Sequence, residues 1–260
     1  MKRFFQILLM ILVMFQFDSV SAIEIEGNGY IQVECDVDQE PGESSNAMRR
    51  IAIMEGYRYL AEQIGDLHVS SSSTVSQYRL TSDEINVSVE KVLNGAQVVS
   101  VDRDPAGTYH VIVRMPVFGA TNSLASVVLP KKSKEVSFPK PKYSNIESGN
   151  INGNYTGLII DCRGLNLSTA ISPAIESVEG TKIYSYDNIS RQSAVSRGIV
   201  SYSTEIDSNV QRAGSNPLVV KAMFTSGECD VVVSQEDADR ILVANQQSKF
   251  LNNCLVVIVR

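Results

Sequence analysis

Apolar and polar residues alternate with a period of two along four segments of the first 130 residues. This period is typical of strands that bury one face. The segments are 23–37, 67–79, 96–104 and 107–119. The last two flank the sequence Asp104-Pro105-Ala106-Gly107, whose residue types favour a tight turn, so we expect these two strands to form a hairpin.

A longer spacing, typical of helices, separates the apolar residues of two other segments. Residues 47–65 follow candidate caps at 44–46, end at Gly65 and place five apolar side chains on one face: Ile53, Tyr57, Leu60, Ala61 and Ile64. Residues 81–96 begin with a capping pattern, end in Asn-Gly and are predicted as a shorter helix. This order of strands and helices predicts an α+β sandwich with helices on one sheet face.

Four consecutive serines lie inside the segment 67–79. One side of the predicted strand carries Leu67, Val69, Ser71, Ser73 and Val75, and the other carries His68, Ser70, Ser72, Thr74 and Ser76. A flexible Gly/Ser linker would lack the alternating valines. We therefore predict a strand with a hydroxylated outer face.

A change of composition divides the chain in two. Residues 131–155 contain five lysines, two prolines, two glycines and four asparagines among few apolar residues. This composition is typical of a solvated linker. It separates a predicted domain over residues 23–130 from a second one over residues 156–260, and each part has the size of one domain.

Residues 156–260 hold several short apolar runs and one clear helix. Ser234 is the candidate cap of this helix, Asp237 lies in its first turn, and Ala238, Ile241 and Leu242 form its apolar stripe. The flanking runs CDVVVS and CLVVIVR are continuously apolar, which is typical of parallel strands covered on both faces. The predicted fold class is α+β, with two domains that each combine a mainly antiparallel or mixed sheet with one or two packed helices.

The first 22 residues have the three parts of a secretory signal peptide. Lys2 and Arg3 provide the positive start, an apolar run covers residues 4–17, and Val20-Ser21-Ala22 provides small residues for cleavage after Ala22. The run is shorter than the roughly 20 residues of a membrane span, and no cysteine for lipid attachment follows the cleavage point. We expect an exported chain without a stable membrane span, located in the periplasm or associated with the outer membrane.

The charge of the chain limits the kinds of partner. Removing the signal peptide takes away two basic side chains and one acidic side chain, so the net charge changes from −6 to about −7. Nucleic acids and anionic membrane surfaces bind concentrated positive charge. Neither is therefore expected as the main partner.

The four cysteines are Cys35, Cys162, Cys229 and Cys254, and none forms a CxxC pair or lies near a histidine in sequence. A zinc site is therefore not expected, nor is any other metal or cofactor. A disulfide is allowed in an exported protein. Cys229 and Cys254 each begin a strand-like run and are the best candidate pair, and buried free thiols fit the sequence at least as well.

His68 is the histidine to weigh for nucleophilic catalysis, because alternate strand residues would place it beside Ser70 and Ser72. No strained turn, oxyanion donor or GxSxG elbow accompanies them, so a polar strand face is the favoured interpretation. His110, next to Tyr109, receives the same interpretation. No catalytic residue is predicted.

Three other patterns have ordinary structural interpretations. Gly27-Asn28-Gly29 lacks the third glycine and the helix of a dinucleotide-binding loop, so we expect a bulge or bend in the first strand. Asp36, Asp38 and Glu40 could hold calcium weakly but lack the regular 12-residue ligand frame. Glu236, Asp237 and Asp239 fall in the first turn of a helix, where the helix dipole favours acids.

A series of features follows in order between residues 24 and 129. They are Glu26-Gly27-Asn28-Gly29-Tyr30, a helix with Arg49, Ala52 and Ala61 that runs into Leu60-Ala61-Glu62-Gln63-Ile64-Gly65, the Val/Ser/Thr strand, the amphipathic stretch from Asp83 to Leu93, Gly107-Thr108-Tyr109-His110-Val111, and Arg114-Met115-Pro116-Val117-Phe118. In these features the first domain resembles the small exported domain shared by the LPP-twenty envelope lipoproteins and the N-terminal part of flagellar assembly protein T. The resemblance implies an α+β fold and a non-enzymatic, protein-binding role in the cell envelope.

These observations lead to an expected function and two alternatives. We expect an exported, non-enzymatic envelope protein that binds other envelope proteins, with flagellar or surface-structure assembly as the candidate process. The first alternative is a periplasmic small-ligand or glycan-binding module whose cleft is formed by the strand–helix–strand unit of the second domain. The second alternative is a hydrolase that uses His68 and its serines.

Overall fold

The computed structural model describes residues 24–39, 41–119, 122–142, 154–206 and 211–260. The predicted signal peptide, its cleavage site and residues 143–153 of the predicted linker lie outside the described residues. The predicted domain boundaries stay predictions.

Strands and helices of the first domain follow one another in mixed order. They are β1 (Tyr30–Val37), α1 (Ser45–Gln63), β2 (His68–Ser70), β3 (Ser73–Thr74), α2 (Val75–Thr81), α3 (Asp83–Leu93), β4 (Gln97–Arg103), β5 (Tyr109–Pro116) and α4 (Leu124–Val128). Strands β1, β5 and β4 form an antiparallel sheet in that order. The predicted hairpin is confirmed, and the Asp104 carboxylate closes its turn by accepting the amide hydrogens of Gly107 and Thr108 at 2.8 and 2.9 Å.

Helix α1 begins after Ser44, whose hydroxyl accepts the Ala47 amide hydrogen at 3.3 Å. Its buried side is a stripe of residues four apart: Met48, Ala52, Gly56 and Leu60. The predicted face is therefore wrong for Ile53, Tyr57 and Ala61, which are half-buried, and right for Leu60 and Ile64. The reason is close packing, because small residues at positions 52 and 56 let the helix lie against the sheet.

The serine run is a tight hairpin followed by a helix, so the prediction of one strand over residues 67–79 is wrong. Strands β2 and β3 pair with each other around Ser71 and Ser72, and α2 begins directly at Val75. Gln77 Oε1 accepts the Thr74 amide hydrogen at 3.0 Å, which is one half of a capping box. Serine and threonine occur at helix starts as well as in strands. An alternation with a period of two therefore did not distinguish one long strand from a hairpin followed by a helix.

The second domain alternates short strands with two helices. Its elements are β6 (Gly157–Asp161), β7 (Ile175–Ser177), β8 (Lys182–Tyr184), α5 (Arg191–Arg197), β9 (Ser201–Ser203), β10 (Pro217–Lys221), β11 (Phe224–Ser226), β12 (Asp230–Val233), α6 (Gln235–Ser248) and β13 (Val256–Val259). The predicted helix is confirmed as α6, with the Ser234 hydroxyl accepting the Asp237 amide hydrogen at 3.0 Å. Ala238, Ile241 and Leu242 are buried as predicted.

Two four-stranded sheets organise this domain. The order β10-β6-β13-β9 is parallel throughout, and the order β11-β12-β7-β8 is mixed. Strands β12 and β13, the two strands of the predicted strand–helix–strand unit, pair in parallel with other strands and belong to different sheets. A continuous apolar run predicts burial on both faces, but it does not identify the neighbouring strand.

The predicted α+β class with two domains is confirmed. One contiguous set of buried apolar residues runs through both domains, from Met48 and Leu60 in the first to Tyr184 and Phe250 in the second. Over the described ranges, no helix has the length and apolar character needed to cross a membrane.

We expect Gly56→Ala to lower the free energy of unfolding by about 1–2 kcal/mol. The new Cβ would lie 2.8 Å from Val113 Cγ2 and 3.0 Å from Val111 Cγ1. Helix propensity alone predicts the opposite, a gain of about 1 kcal/mol. Urea unfolding followed by circular dichroism measures the difference, with Met54→Ala on the exposed side of the same helix as control. A more stable Gly56→Ala protein would contradict the close packing.

Candidate functional site

Backbone hydrogen bonds join the serine hairpin to the second domain. His68 forms a parallel bridge with Ala170. The amides of Ile171 and Ser172 donate to the carbonyl oxygens of His68 and Val69 at 3.0 and 2.8 Å. Strand β2 therefore pairs with a segment about 100 residues away in sequence, and it positions the first domain against the second.

We call the contact between the serine hairpin and the second domain the joint. It also contains a buried carboxylate. Asp230 is only 4% exposed, and its Oδ2 accepts a hydrogen bond from the Ser71 hydroxyl at 2.6 Å. Its Oδ1 accepts the Ala174 amide hydrogen at 2.7 Å. Because a buried carboxylate is costly unless donors surround it, Ser71 ties the first domain to a charged group of the second.

The described first half of the predicted linker lies along the second domain. The Val136 amide donates to the Asp187 carbonyl at 2.8 Å, and the ring of Phe138 stacks on Tyr184 with centroids 6.4 Å apart. The Lys142 amide donates to Asp239 Oδ1 at 2.8 Å. Residues 131–142 contain no helix or strand, as expected of a linker, but they dock instead of being fully solvated.

A cavity of about 490 Å³ lies between the domains, and we call it the junction cavity. The Gly27–Tyr30 turn and Phe118 line it from the first domain, and Arg197, Arg212 and Cys254 line it from the second. Gly27-Asn28-Gly29 forms a turn before β1, with the Gly29 amide donating to the Glu26 carbonyl at 2.8 Å. The pattern therefore helps to build the joint and is not a phosphate-binding loop.

Phe118 holds the wall of the junction cavity in place. A Cβ on Gly198 would lie 2.8 Å from the Phe118 ring, and one on Gly29 would lie 3.4 Å from it. Both glycines have positive φ values, 75° and 81°, a conformation that favours glycine. The Gly119 amide also donates to the Val195 carbonyl at 2.9 Å. The ring thus packs against the backbone of both domains.

Arg212 is a structural residue of this wall. Its guanidinium donates to the carbonyl oxygens of Cys254, Arg197 and Gly198 at 2.7, 2.7 and 2.5 Å. Burial lowers the pKa of Arg212. These bonds occupy the fork of the guanidinium, so the exposed Arg197 is the cation that remains to face a ligand in the cavity.

His68 faces a carboxylate and not a serine. Its Nε2 lies 2.9 Å from Glu228 Oε2, and within the described part of the chain its Nδ1 is buried without a hydrogen-bond partner. The Ser70 hydroxyl bonds to the hydroxyls of Ser72 and Ser73 at 3.3 and 2.7 Å. The structure therefore does not bring His68 together with a serine nucleophile, and the hydrolase alternative gains no support.

His110 lies on the solvent-exposed side of the first sheet among acids. Its Nδ1 is 2.6 Å from Asp36 Oδ1, and this hydrogen bond raises the pKa of His110. Ligand atoms of Glu34, Asp36 and His110 all lie within 4.8 Å of one another. Asp38 accepts from the Thr108 hydroxyl at 2.8 Å, and Glu40 lies outside the described residues. The sequence did not indicate that Glu34 and His110 lie beside Asp36, because the strand pairing that brings His110 there is not visible in the sequence.

The acids at the start of α6 have separate roles. Glu236 and Asp237 lie in its first turn, and Asp237 accepts hydrogen bonds from Ser234 and Arg240 at 2.9 and 2.7 Å. Asp239 is fully buried and receives the Lys142 amide. The group therefore stabilises the helix start and holds the linker.

All four cysteines are free thiols in the structure, so the candidate pair Cys229–Cys254 is not bonded here. Cys254 lies against Tyr184 and Arg212, whereas Cys229 precedes β12 next to Asp230. Burial raises the pKa of the Cys162 and Cys229 thiols to about 12. Such thiols are unreactive at neutral pH.

An exposed apolar stripe follows one edge of the second domain. In the edge segment, residues 217–226, the chain runs from β10 at the edge of one sheet directly into β11 at the edge of the other. Val219, Met223 and Phe224 are 47%, 52% and 46% exposed. Leu218 and Val220 are buried, so Val219 and Lys221 share the exposed face of β10, and Met223 and Phe224 follow where the chain passes into β11. These residues form one of the short apolar runs of residues 156–260, and nothing in the sequence shows that the run lies at a sheet edge.

We expect Ser71→Ala to lower the free energy of unfolding by about 1–3 kcal/mol, because it removes a hydrogen bond to a buried carboxylate. Ser72→Ala is the matched control, since Ser72 is the exposed neighbour in the same run and should change stability by less than about 0.5 kcal/mol. Chemical denaturation measures both. Equal effects at the two positions would contradict the role of Ser71 in the joint.

Counting thiols tests the candidate disulfide. We expect alkylation of the protein, unfolded without reductant, to add four labels per chain, because all four cysteines are free. Mass spectrometry of the intact protein gives the count, and a sample reduced before labelling is the control. Two labels without reductant and four with it would show that a disulfide forms, and peptide mapping would then locate it.

Comparison with protein families assigns a type to each half of the chain. Residues 41–115 match the model of the LPP20 lipoprotein family, which confirms the resemblance of the first domain and supports an exported, lipoprotein-like envelope protein. Residues 157–260 match the second domain of Treponema pallidum Tp0624. A search of curated proteins found no match. The chain therefore contains one region similar to the LPP20 lipoprotein family and a second region similar to the second domain of Tp0624.

Proposed function

We propose that this protein is a non-enzymatic component of the cell envelope that binds other envelope proteins through its edge segment. The observation that carries the proposal is the stripe of Val219, Met223 and Phe224, three large apolar side chains that are each about half exposed within six residues. Scattered single apolar residues are normal on a protein surface, whereas a contiguous group marks an interaction site.

The position of the stripe indicates how a partner binds. Among the residues that the structure describes, strand β10 pairs on one side, with β6, and β11 pairs with β12 alone. Unpaired strand edges present a row of backbone donors and acceptors to which an extended segment can add as a further strand. Pro217 and Lys221, residue types that protect edges, stand at the two ends of β10 and leave residues 218–220 open. The occupant we propose is an extended, largely apolar segment of another envelope protein.

The LPP20 match supports the cellular setting of this proposal. Assembly of flagella or other surface structures, implied by the resemblance of the first domain, is the process in which we place the protein. Its expected location is the periplasm or an association with the outer membrane, after removal of residues 1–22.

The alternative function, binding of a small ligand or glycan, draws support from the junction cavity, whose volume lies in the range of ligand sites. The predicted cleft was in the strand–helix–strand unit of the second domain. The cavity instead takes its walls from both domains, with only the residues just before β13 contributed by that unit.

Site-specific photo-crosslinking in the exporting cell tests the edge segment. A photo-reactive amino acid at position 219 or 223 should give a covalent adduct with a defined envelope protein. The same residue at position 54 should not, because Met54 is equally apolar and more exposed but lies on helix α1. Val219→Glu combined with Met223→Glu should reduce recovery of that partner at least tenfold while the unfolding midpoint stays unchanged. Identical adducts at positions 54, 219 and 223, or none at 219 and 223, would contradict the proposal.

A further inference from the structure

A second cavity, of about 710 Å³, opens beside helix α3, and we call it the basic cavity. Ser82, Ser88 and Lys91 lie along its α3 side, the stretch 126–131 after and within α4 forms the opposite wall, and Arg191 at the start of α5 enters from the second domain. Most of its lining residues belong to the first domain, and docking of the second domain adds Arg191.

Positive charge dominates the basic cavity. Lys91, Lys131 and Arg191 line it, and Glu84 is the acid among its lining residues, which gives a net charge of about +2. This local excess contrasts with a chain of net charge −6. Lys91 and Lys131 are exposed, and neither forms an ion pair with another described residue.

Arg191 is held so that it contributes charge at a defined place. Its Nη2 donates to the Ser126 carbonyl at 2.6 Å, which fixes the guanidinium against the wall. Its Nε is buried and has no acceptor within the part of the chain that the structure describes. The guanidinium is therefore held in place with its positive charge beside the cavity, where it attracts an anion.

The uncharged lining residues indicate the chemistry of the rest of the ligand. Ser82, Ser88 and Asn122 bring hydroxyl and amide hydrogen-bonding groups, and Ile85, Val92, Val127 and Leu129 supply an apolar wall. A volume of about 710 Å³ is in the range of sites for organic ligands and far exceeds the space of a bare ion. The ligand should therefore combine an anionic group with an uncharged organic part.

We propose that the basic cavity binds a phosphate ester. A phosphate monoester carries a charge of about −1.5 to −2 at neutral pH, which matches the net charge of the cavity. Its oxygens accept several hydrogen bonds at once, as the lysine, arginine and serine donors require. The organic part of the ester lies against the apolar wall. A soluble ester and the headgroup of a lipid share this chemistry.

Calorimetric titration with glycerol 3-phosphate, inorganic phosphate and glycerol tests the proposal. We expect binding of glycerol 3-phosphate, weaker binding of inorganic phosphate, and none of glycerol, which lacks the charge. The double variant Lys91→Gln/Lys131→Gln should bind at least roughly tenfold more weakly, because it loses two charges near the phosphate. The matched control Lys249→Gln removes an exposed lysine outside the cavity and should bind as the parent does. Binding should also weaken as salt is added.

Vesicles distinguish the two sources of the ester. Flotation with vesicles that contain phosphatidic acid, whose headgroup is a phosphate monoester, but not with phosphatidylcholine vesicles, and its loss in the double variant would identify a lipid headgroup as the ligand. Binding of glycerol 3-phosphate without flotation would identify a soluble ester. No binding of any phosphate probe, or equal binding by the parent and the double variant when both have the same unfolding midpoint, would overturn the proposal.

Discussion

The burial of the Asp230 carboxylate at the joint between the domains is the interaction on which the rest of the structure depends. Taking an ionised carboxylate out of water costs several kcal/mol unless hydrogen-bond donors replace the water. The Ala174 amide supplies one donor from within the second domain, and the Ser71 hydroxyl supplies the other from the first. The second domain therefore buries this charge at low cost only when the serine hairpin is docked. The backbone bonds from Ile171 and Ser172 hold the hairpin at that position.

Both cavities use this docking. The junction cavity lies between Tyr30 and Phe118 of one domain and Arg212 of the other, and the basic cavity combines Lys91 and Lys131 with Arg191. Separation of the domains would remove one wall of the junction cavity and one cation, Arg191, from the basic cavity. A ligand that contacts both domains binds the docked form more tightly, so its binding free energy stabilises the joint by mass action.

The parts of the fold that sequence predicts well are those whose signals are local. The cap at Ser234, the helix from Asp83 and the turn at Asp104 each rest on residues fewer than five positions apart, and each is present in the structure. The serine run was mistaken because its decisive partner, Asp230, is 159 residues away. Helix α1 shows a second limit. Its contact with the sheet is so close that Gly56 is buried, whereas a ranking by hydrophobicity favours Ile53 and Tyr57.

The candidate sites were missed for the same physical reason. Val219 and Met223 look like the apolar residues of any buried strand, and only the strand order shows that β10 lies at an edge. Arg191 looks like an ordinary first residue of a short helix, and only the docking of the domains brings it to Lys91 and Lys131.

The net charge of the whole chain and the charge around a ligand in one cavity are different quantities. An overall charge of −6 disfavours broad polyanionic surfaces, because they interact with many side chains at once. A ligand inside a cavity meets only the lining residues, and beyond about 10 Å salt screens the remaining charges of the protein. The charge of a whole chain therefore disfavours extended anions such as nucleic acids, but it does not argue against a small anion in a cavity lined by Lys91, Lys131 and Arg191.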